Sequence, residues 1–511
     1  MILNKSFLVL FLSIIFIYGS DLVCQNYCDR KYDHIWILGG TDTDTIENRY
    51  GGCEINFNSS PPSLLRHSKY FDQLLQITSM SSKQGDLCFY SNGCLVLNPL
   101  DLEMENGDSL NPGELYEEFC PDHGYIGFQN MFALPDEYHD SIYYLFHIDL
   151  IDNLDTNLAS SLISENLYCT TIDMAGENGL GTVKSKNQVV LKDTTMLGGP
   201  MSAVRHANGM DWWIICPNSW TNSHNRILVD GDGPHFINRQ YIGIVPDSKS
   251  VGGQGKFSPD GSKFAWYHPS NGLYLYDFDR QEGLLSNFVL IEIPAYNGVS
   301  GGLEFSPSGN FLFVNHDTSL YQVDLLSPDI QSSLTHIADY DGFVDVLPTP
   351  FFIMERTPDH RIIMSPLFGS QWLHVIQEPD KKGKACRFEQ HTLKLPTVNN
   401  WTLPHFPNYR LGRLDDPLCD SVMVASPILA KTGYKKFMIR PNPASHQIVI
   451  YNLDPEIVNN LFIELTDLQG RMVLRETTLS MDVSDVPSGL YFIKIYADLI
   501  LQQLEKVVVQ H

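Results

Sequence analysis

The chain has 511 residues, of which 43% are hydrophobic and 18% charged, enough apolar material for a buried core and too few charges for a disordered chain. Sixty acidic residues against 34 basic ones give a formal charge of -26, which repels phosphate backbones and anionic lipid and so argues against nucleic acid or a polybasic membrane role. Aromatic residues at 11%, with 37 Gly and 29 Pro, favour strands joined by tight turns over an all-helical fold.

Residues 1–24 read as a signal peptide. Lys5 precedes an apolar run from Phe7 to Tyr18 in which only Ser13 is polar, and such a run is too short to cross about 30 Å of hydrocarbon. Gly19, Ser20 and Cys24 are candidate cleavage points, and Val23 before Cys24 argues against a lipidated cysteine. No later segment is apolar for long enough to span a membrane, so the mature chain is expected to be exported and soluble. Ten cysteines suit an oxidising compartment, but the absence of a Cys-x-x-Cys pair leaves a zinc or haem site without support. Cys88 and Cys94 flank Ser91-Asn92-Gly93 and could meet across a hairpin, although a two-residue Asn-Gly turn would pair 91 with 94 and leave Cys88 out of register. The disulfide pairing stays open.

Residues 30–408 carry a weak internal repeat. Phe257-Ser258-Pro259-Asp260-Gly261 and Phe305-Ser306-Pro307-Ser308-Gly309 lie 48 residues apart, each between two apolar runs. Similar steps reach Gly209 in AVRHANGMDWWIICP (203–217) and His360 in FFIMERTPDHRIIMSP (351–366), with looser units at 131–150 and 74–98. A period near 50 with three or four strands per unit predicts an all-β chain built as a β-propeller. Gly209, Pro259, Asp260, Gly261, Pro307 and Gly309 are the expected repeat turns, where Pro sets φ and Gly accepts positive φ. Six units are countable, and HIWILGG (34–40) with CEINF (53–57) supplies a seventh, closed by a strand near 391–395. Seven blades are expected, with six or eight as alternatives.

The search for chemistry assigns no catalytic residue. His206 and Asp211, with Asn208 between them, are the residue types of acid–base work, but they fall on an expected hairpin turn. Asp230-Gly231-Asp232-Gly233 begins like a calcium loop, in which alternating carboxylates meet a hard cation. Position twelve from Asp230 is Tyr241 rather than Glu, so a solvated turn is the better reading, and Thr41-Asp42-Thr43-Asp44 carries less still. No metal or cofactor is assigned to Asp230 and Asp232, although so acidic a chain leaves calcium held by several loops open. Gly252-Gly253-Gln254-Gly255 precedes a strand, so it lacks the helix N-terminus a phosphate needs.

Residues 409–433 are rich in breakers without periodicity and read as a linker. From 434 to 511 alternating runs return, as in Tyr491-Phe492-Ile493-Lys494-Ile495-Tyr496, and predict a small immunoglobulin-like antiparallel β-sandwich. This part holds seven basic and nine acidic residues, so nearly all of the -26 belongs to the expected propeller.

Two resemblances accompany these readings. Residues 434–511 closely resemble the type A C-terminal sorting domain of the bacterial type IX secretion system. The residues that carry the likeness are Pro441-Asn442-Pro443, DLQGRMV (467–473) with Gly470, Leu490-Tyr491 after Gly489, and a closing strand that starts at Lys506. The resemblance implies recognition by the type IX machinery, delivery across the outer membrane to the medium or the cell surface, and removal of the domain by a sortase-like protease. A permanent adhesion module is the alternative. The FSPDG units resemble WD40-like repeats of bacterial envelope proteins. With GLGTVKSKNQVVL (179–191), KFSPDGSKFAW (256–266) and LEFSPSGNFLFV (303–314) they are similar to secreted propellers that precede such a sorting domain and have no settled activity. Two functions follow as expectations: an exported propeller that binds an extracellular protein or glycan without catalysis, or an extracellular hydrolase or lyase acting on polysaccharide or lactone.

Overall fold

A computed structural model describes residues 27–40, 49–67, 76–120, 123–153, 162–246, 253–294, 301–414, 437–452, 461–467, 472–497 and 500–511. Among these, seven antiparallel sheets follow one another along the chain, at 35–67, 78–97, 131–192, 202–241, 255–291, 303–339 and 351–399. The first two have three strands and the others four. The first strands of most successive sheets pack side by side, and the third and fourth sheets meet through their outer strands Thr182–Lys192 and Gly233–Tyr241, which makes each sheet a blade of a propeller.

The fifth blade shows how the repeat folds. Its second and third strands, Lys263–His268 and Gly272–Asp279, are buried almost throughout because neighbouring blades cover both faces. Trp266 stacks on Tyr274 at 4.3 Å, and Phe257 meets Phe278 edge-on at 4.9 Å. The hairpin before Lys263 is closed by Asp260, which accepts from Ser258 Oγ at 2.5 Å and from the Ser262 amide at 3.0 Å. Gly261 takes φ +71°, as do Gly309 (+71°) and Gly209 (+74°), and in the seventh blade His360 holds the equivalent position at +67°.

Ring closure differs from the expectation. Residues 391–395 lie within Phe388–Asn399, the outer strand of the seventh blade, and do not complete the first. Residues 400–410 take that place, antiparallel to Ile35–Gly40. The Asn400 amide approaches the Gly39 carbonyl at 3.5 Å, the Phe406 ring lies 5.7 Å from Trp36, and Arg410 grips Asp33 with bonds of 2.8 and 2.5 Å. Pro404 and Pro407 have no N–H, so side chains rather than a ladder hold this segment. Tyr409, the first residue of the expected linker, is 1% exposed, and its hydroxyl donates to the Ala133 carbonyl at 2.8 Å. Packing thus reaches at least to Leu411, 2% exposed.

Cys94 is bonded to Cys120, just after the helix Glu114–Phe119, and not to Cys88. Ser91 pairs with Val96, so the loop is longer than an Asn-Gly turn and carries Cys94 away from the strand that holds Cys88. Cys28 is also disulfide-bonded, while Cys53, Cys88, Cys169, Cys216 and Cys386 are free and buried.

The C-terminal part is a sandwich of a three-stranded and a four-stranded sheet around Ile439, Ile448, Ile463, Leu465, Ile493 and Val507. Asn442 ties the Pro-Asn-Pro corner to the last strand: its Nδ2 donates to the Lys506 carbonyl and its Oδ1 accepts from the Val508 amide, both at 2.9 Å. Tyr491 donates its hydroxyl to the Pro487 carbonyl at 2.8 Å, just upstream of Gly489. Gly470 lies outside the described residues. No helix among the described residues is long and apolar enough to cross a membrane.

The hairpin glycines test how tightly the blades meet. A Cβ on Gly261 would fall 2.8 Å from both Val204 and Arg280 and 2.9 Å from Leu411, whereas one on Gly233 (φ +106°) would meet open space. Gly261→Ala is therefore expected to cost about 3 kcal/mol and Gly233→Ala about 1–2 kcal/mol in urea unfolding. Equal losses would mean that the turn strains only its own backbone.

Candidate functional site

The repeat aims charged residues at one level of the channel. Lys256, Glu304 and Glu355 each stand one residue before the hairpin motif of the fifth, sixth and seventh blades, and His405 stands in the same relation to Phe406-Pro407-Asn408. The Lys256 ammonium lies 2.5 Å from Glu355 Oε2, 3.4 Å from Glu304 Oε2 and 3.1 Å from His405 Nδ1. His405 Nε2 faces the Met201 carbonyl at 3.1 Å, so it carries the proton, and Nδ1 accepts from the ammonium. All four side chains are at most 4% exposed.

Burial sets the protonation states. It holds His405 well below the usual imidazole range and therefore neutral, with the nearby Lys256 acting in the same sense. It raises the Glu304 carboxyl and pushes Glu355 up to about 7, in both cases against the pull of Lys256. Glu304 also accepts from the Arg356 amide at 3.2 Å and the Phe305 amide at 3.0 Å. One level away, Gln254 spans three blades: its Nε2 donates to Met354 O at 2.5 Å, and its Oε1 accepts from the amides of Leu303 and Met354, both at 3.0 Å. The cleft beside the charges has about 30 Å3 open to water-sized groups, room for solvent but not for a sugar ring.

A second buried cluster joins the N-terminal segment to the third and fourth blades. Glu137 accepts from Arg30, with an Nη2–Oε2 distance of 2.6 Å, and from Arg205 Nη1 at 2.8 Å. The Arg205 guanidinium lies 3.8 Å over the Trp212 ring. Both clusters are internal and their opposite charges face one another, which suits a lock between blades better than a reaction centre.

His206 and Asp211 sit on the first hairpin of the fourth blade. His206 Nε2 donates to the Gln281 carbonyl at 3.0 Å and its Nδ1 accepts from the Asn208 amide at 3.0 Å. Asp211 accepts from Tyr138 OH at 2.8 Å and Asn208 Nδ2 at 2.7 Å. The two share a backbone bond of 2.9 Å, but their side chains face separate partners. Asp230 accepts from the Asp232 amide at 2.9 Å and lies 3.1 Å from His235 Nε2, a turn closed on itself. Among the described residues, no group of three or more His, Cys, Asp or Glu could hold a metal ion, and 41–44 lie outside them.

The Glu355 shift has a pH signature. A carboxyl raised in the fold contributes stability that is present below the unfolded value near 4.5 and lost as pH rises through about 7. His405, lowered in the fold, contributes in the opposite sense, its share being lost as pH falls below about 6.5. Unfolding free energies of Glu355→Gln are therefore expected to gain on the parent between pH 5 and pH 8. Parallel profiles would show that Glu355 does not titrate in this window.

A family model described as the secretion system C-terminal sorting domain matches residues 438–510. No curated protein matches the chain. Among solved structures, a functionally unknown protein from Desulfotomaculum acetoxidans is 12% identical, covering 73% of this chain and 99% of its own, with a TM-score of 0.39. The β-propeller domain of Cps50 (Swd1) from Myceliophteria thermophila is 10% identical over 66% of this chain and 94% of its own, with a TM-score of 0.35. A gluconolactonase from Xanthomonas campestris is 11% identical over 64% and 92%, with a TM-score of 0.29. The Asn442 clamp and the Tyr491 corner lie inside the matched segment, and residues 438–510 belong to the secretion system C-terminal sorting domain family, which marks the chain for export by the type IX system to the cell surface or the extracellular space.

Proposed function

We propose that the exported propeller is a binding module that presents its loops to an extracellular protein or glycan and carries out no catalysis. The observation that carries this reading is the charged level of the channel: residues 400–411 lie along the first blade, and Lys256, Glu304 and Glu355 of the fifth to seventh blades pair with one another and with His405. What remains for a partner is the rim of loops on a rigid scaffold, the usual place for recognition residues. His206 and Asp211 bond to separate partners, His206 to Gln281 and Asp211 to Tyr138 and Asn208, and face no shared substrate.

Two experiments test the proposal. Mature protein on glycan and protein arrays, paired with turnover assays on polysaccharides and lactones, is expected to show binding without turnover; turnover abolished by His206→Ala or Asp211→Asn would overturn it. Deletion of residues 436–511 is expected to leave the chain in the periplasm while the full-length form reaches the surface, and surface delivery of the shortened chain would contradict the role of the sorting domain.

A further inference from the structure

The channel end opposite the hairpins differs from the charged end. A small cavity there is lined by Gln129, Gln254, Gly199, Gly253, Gly301 and Phe352, with about 10 Å3 open to a water-sized group. The glycines leave bare backbone at the mouth because the second strand of the same blade is too close for a side chain: a Cβ on Gly253 would lie 1.9 Å from the Tyr267 carbonyl, and one on Gly301 2.1 Å from that of Asn315. Gln254 is bonded at both its Oε1 and its Nε2. Gln129 is not: its side chain lies in a residue 4% exposed, and both its Oε1 and its Nε2 lack a partner among the described residues. A buried amide left in this state costs about 1–3 kcal/mol, so a group that supplies both a donor and an acceptor would recover it.

Two further features converge on this mouth. Gln129 holds φ +49° and Trp401 φ +64°, left-handed conformations that disfavour residues with a Cβ and cluster at ligand-binding places. Phe128, adjacent to Gln129 and also lining the cavity, stacks on Trp401 with centroids 6.0 Å apart and planes 13° from parallel; Phe368 stands edge-on to the same indole at 6.1 Å. Phe128, Trp401 and Phe368 are all partly exposed. An amide that can donate and accept, beside flat apolar rings and with no charged side chain in the lining, matches a polyol rather than an anion. A metal cation would leave Nε2 facing like charge, and a peptide group with its Cα substituents exceeds the space.

We propose that this mouth is a binding site for a neutral saccharide, one of whose hydroxyl groups enters the cavity, donates to Gln129 Oε1 and accepts from Nε2. The C–H face of the sugar ring lies over Phe128 and Trp401. The site rests on the binding reading above and gives it a place and a ligand class.

Calorimetric titration of the mature protein with soluble neutral oligosaccharides (gluco-, manno-, galacto- and N-acetylglucosamine oligomers) tests it, with Gln129→Met and Phe128→Leu beside the parent. The parent is expected to bind at least one series. Each variant is expected to lose tenfold or more in affinity, with the thermal midpoint of Gln129→Met unchanged or raised, because an unpartnered amide has been removed. Unchanged affinity in both variants would overturn the site while leaving the binding reading intact, as would capture of a protein partner with no saccharide bound. A lowered midpoint in Gln129→Met would show that the amide has an internal partner, and would also overturn the site. A parent that binds no array member would remove both proposals.

Discussion

A blade of four short strands has two apolar faces and cannot cover either alone, so every element of this propeller depends on the ring being closed. Closure combines the packing of Phe388–Asn399 on the first blade with a segment that has no regular structure. Residues 400–410 lie along Ile35–Gly40, where Pro404 and Pro407 forbid a continuous ladder, and the contact is carried by Phe406 on Trp36 and Arg410 on Asp33. The buried His405 places a neutral imidazole against Lys256, which ties the closing segment to the fifth, sixth and seventh blades at once.

Ions inside a core are weak evidence for stability, since desolvating them offsets most of their attraction; removing one partner is the costly event, at about 3–5 kcal/mol. Lys256 with its two carboxylates, and Glu137 with Arg30 and Arg205, fit that description. Their geometry joins elements: the Lys256 ammonium meets groups from two other blades and from the closing segment. The same geometry explains why the charged level of the channel offers little to a substrate: Lys256, Glu304, Glu355 and His405 face one another there.

The repeat was legible because Pro-Asp-Gly and Pro-Ser-Gly mark hairpins whose glycines need positive φ, and Gly261 and Gly309 adopt it. The sandwich was legible from alternation alone, since Ile463, Leu465, Ile493 and Ile495 point to one core. The closing segment was not, because two prolines erase the period that betrays a strand. The charged cluster was missed for a different reason: charge ordinarily signals solvent, and the clue was positional, with Lys256, Glu304 and Glu355 at one register of three repeats and His405 before Phe406-Pro407-Asn408. Gln129 carries no motif; its unpartnered amide singles it out only in the folded chain. The disulfide Cys94–Cys120 escaped because it depends on the helix Glu114–Phe119 turning the chain back.

The position of the closing segment has a consequence for biosynthesis. Residues 400–411 are translated after all seven sheets, so the first blade waits, with its inner edge uncovered, until nearly the whole domain is present. The sorting domain follows at 438–510. A chain cut short anywhere before Arg410 therefore lacks both the segment that lies along the first blade and the sorting domain.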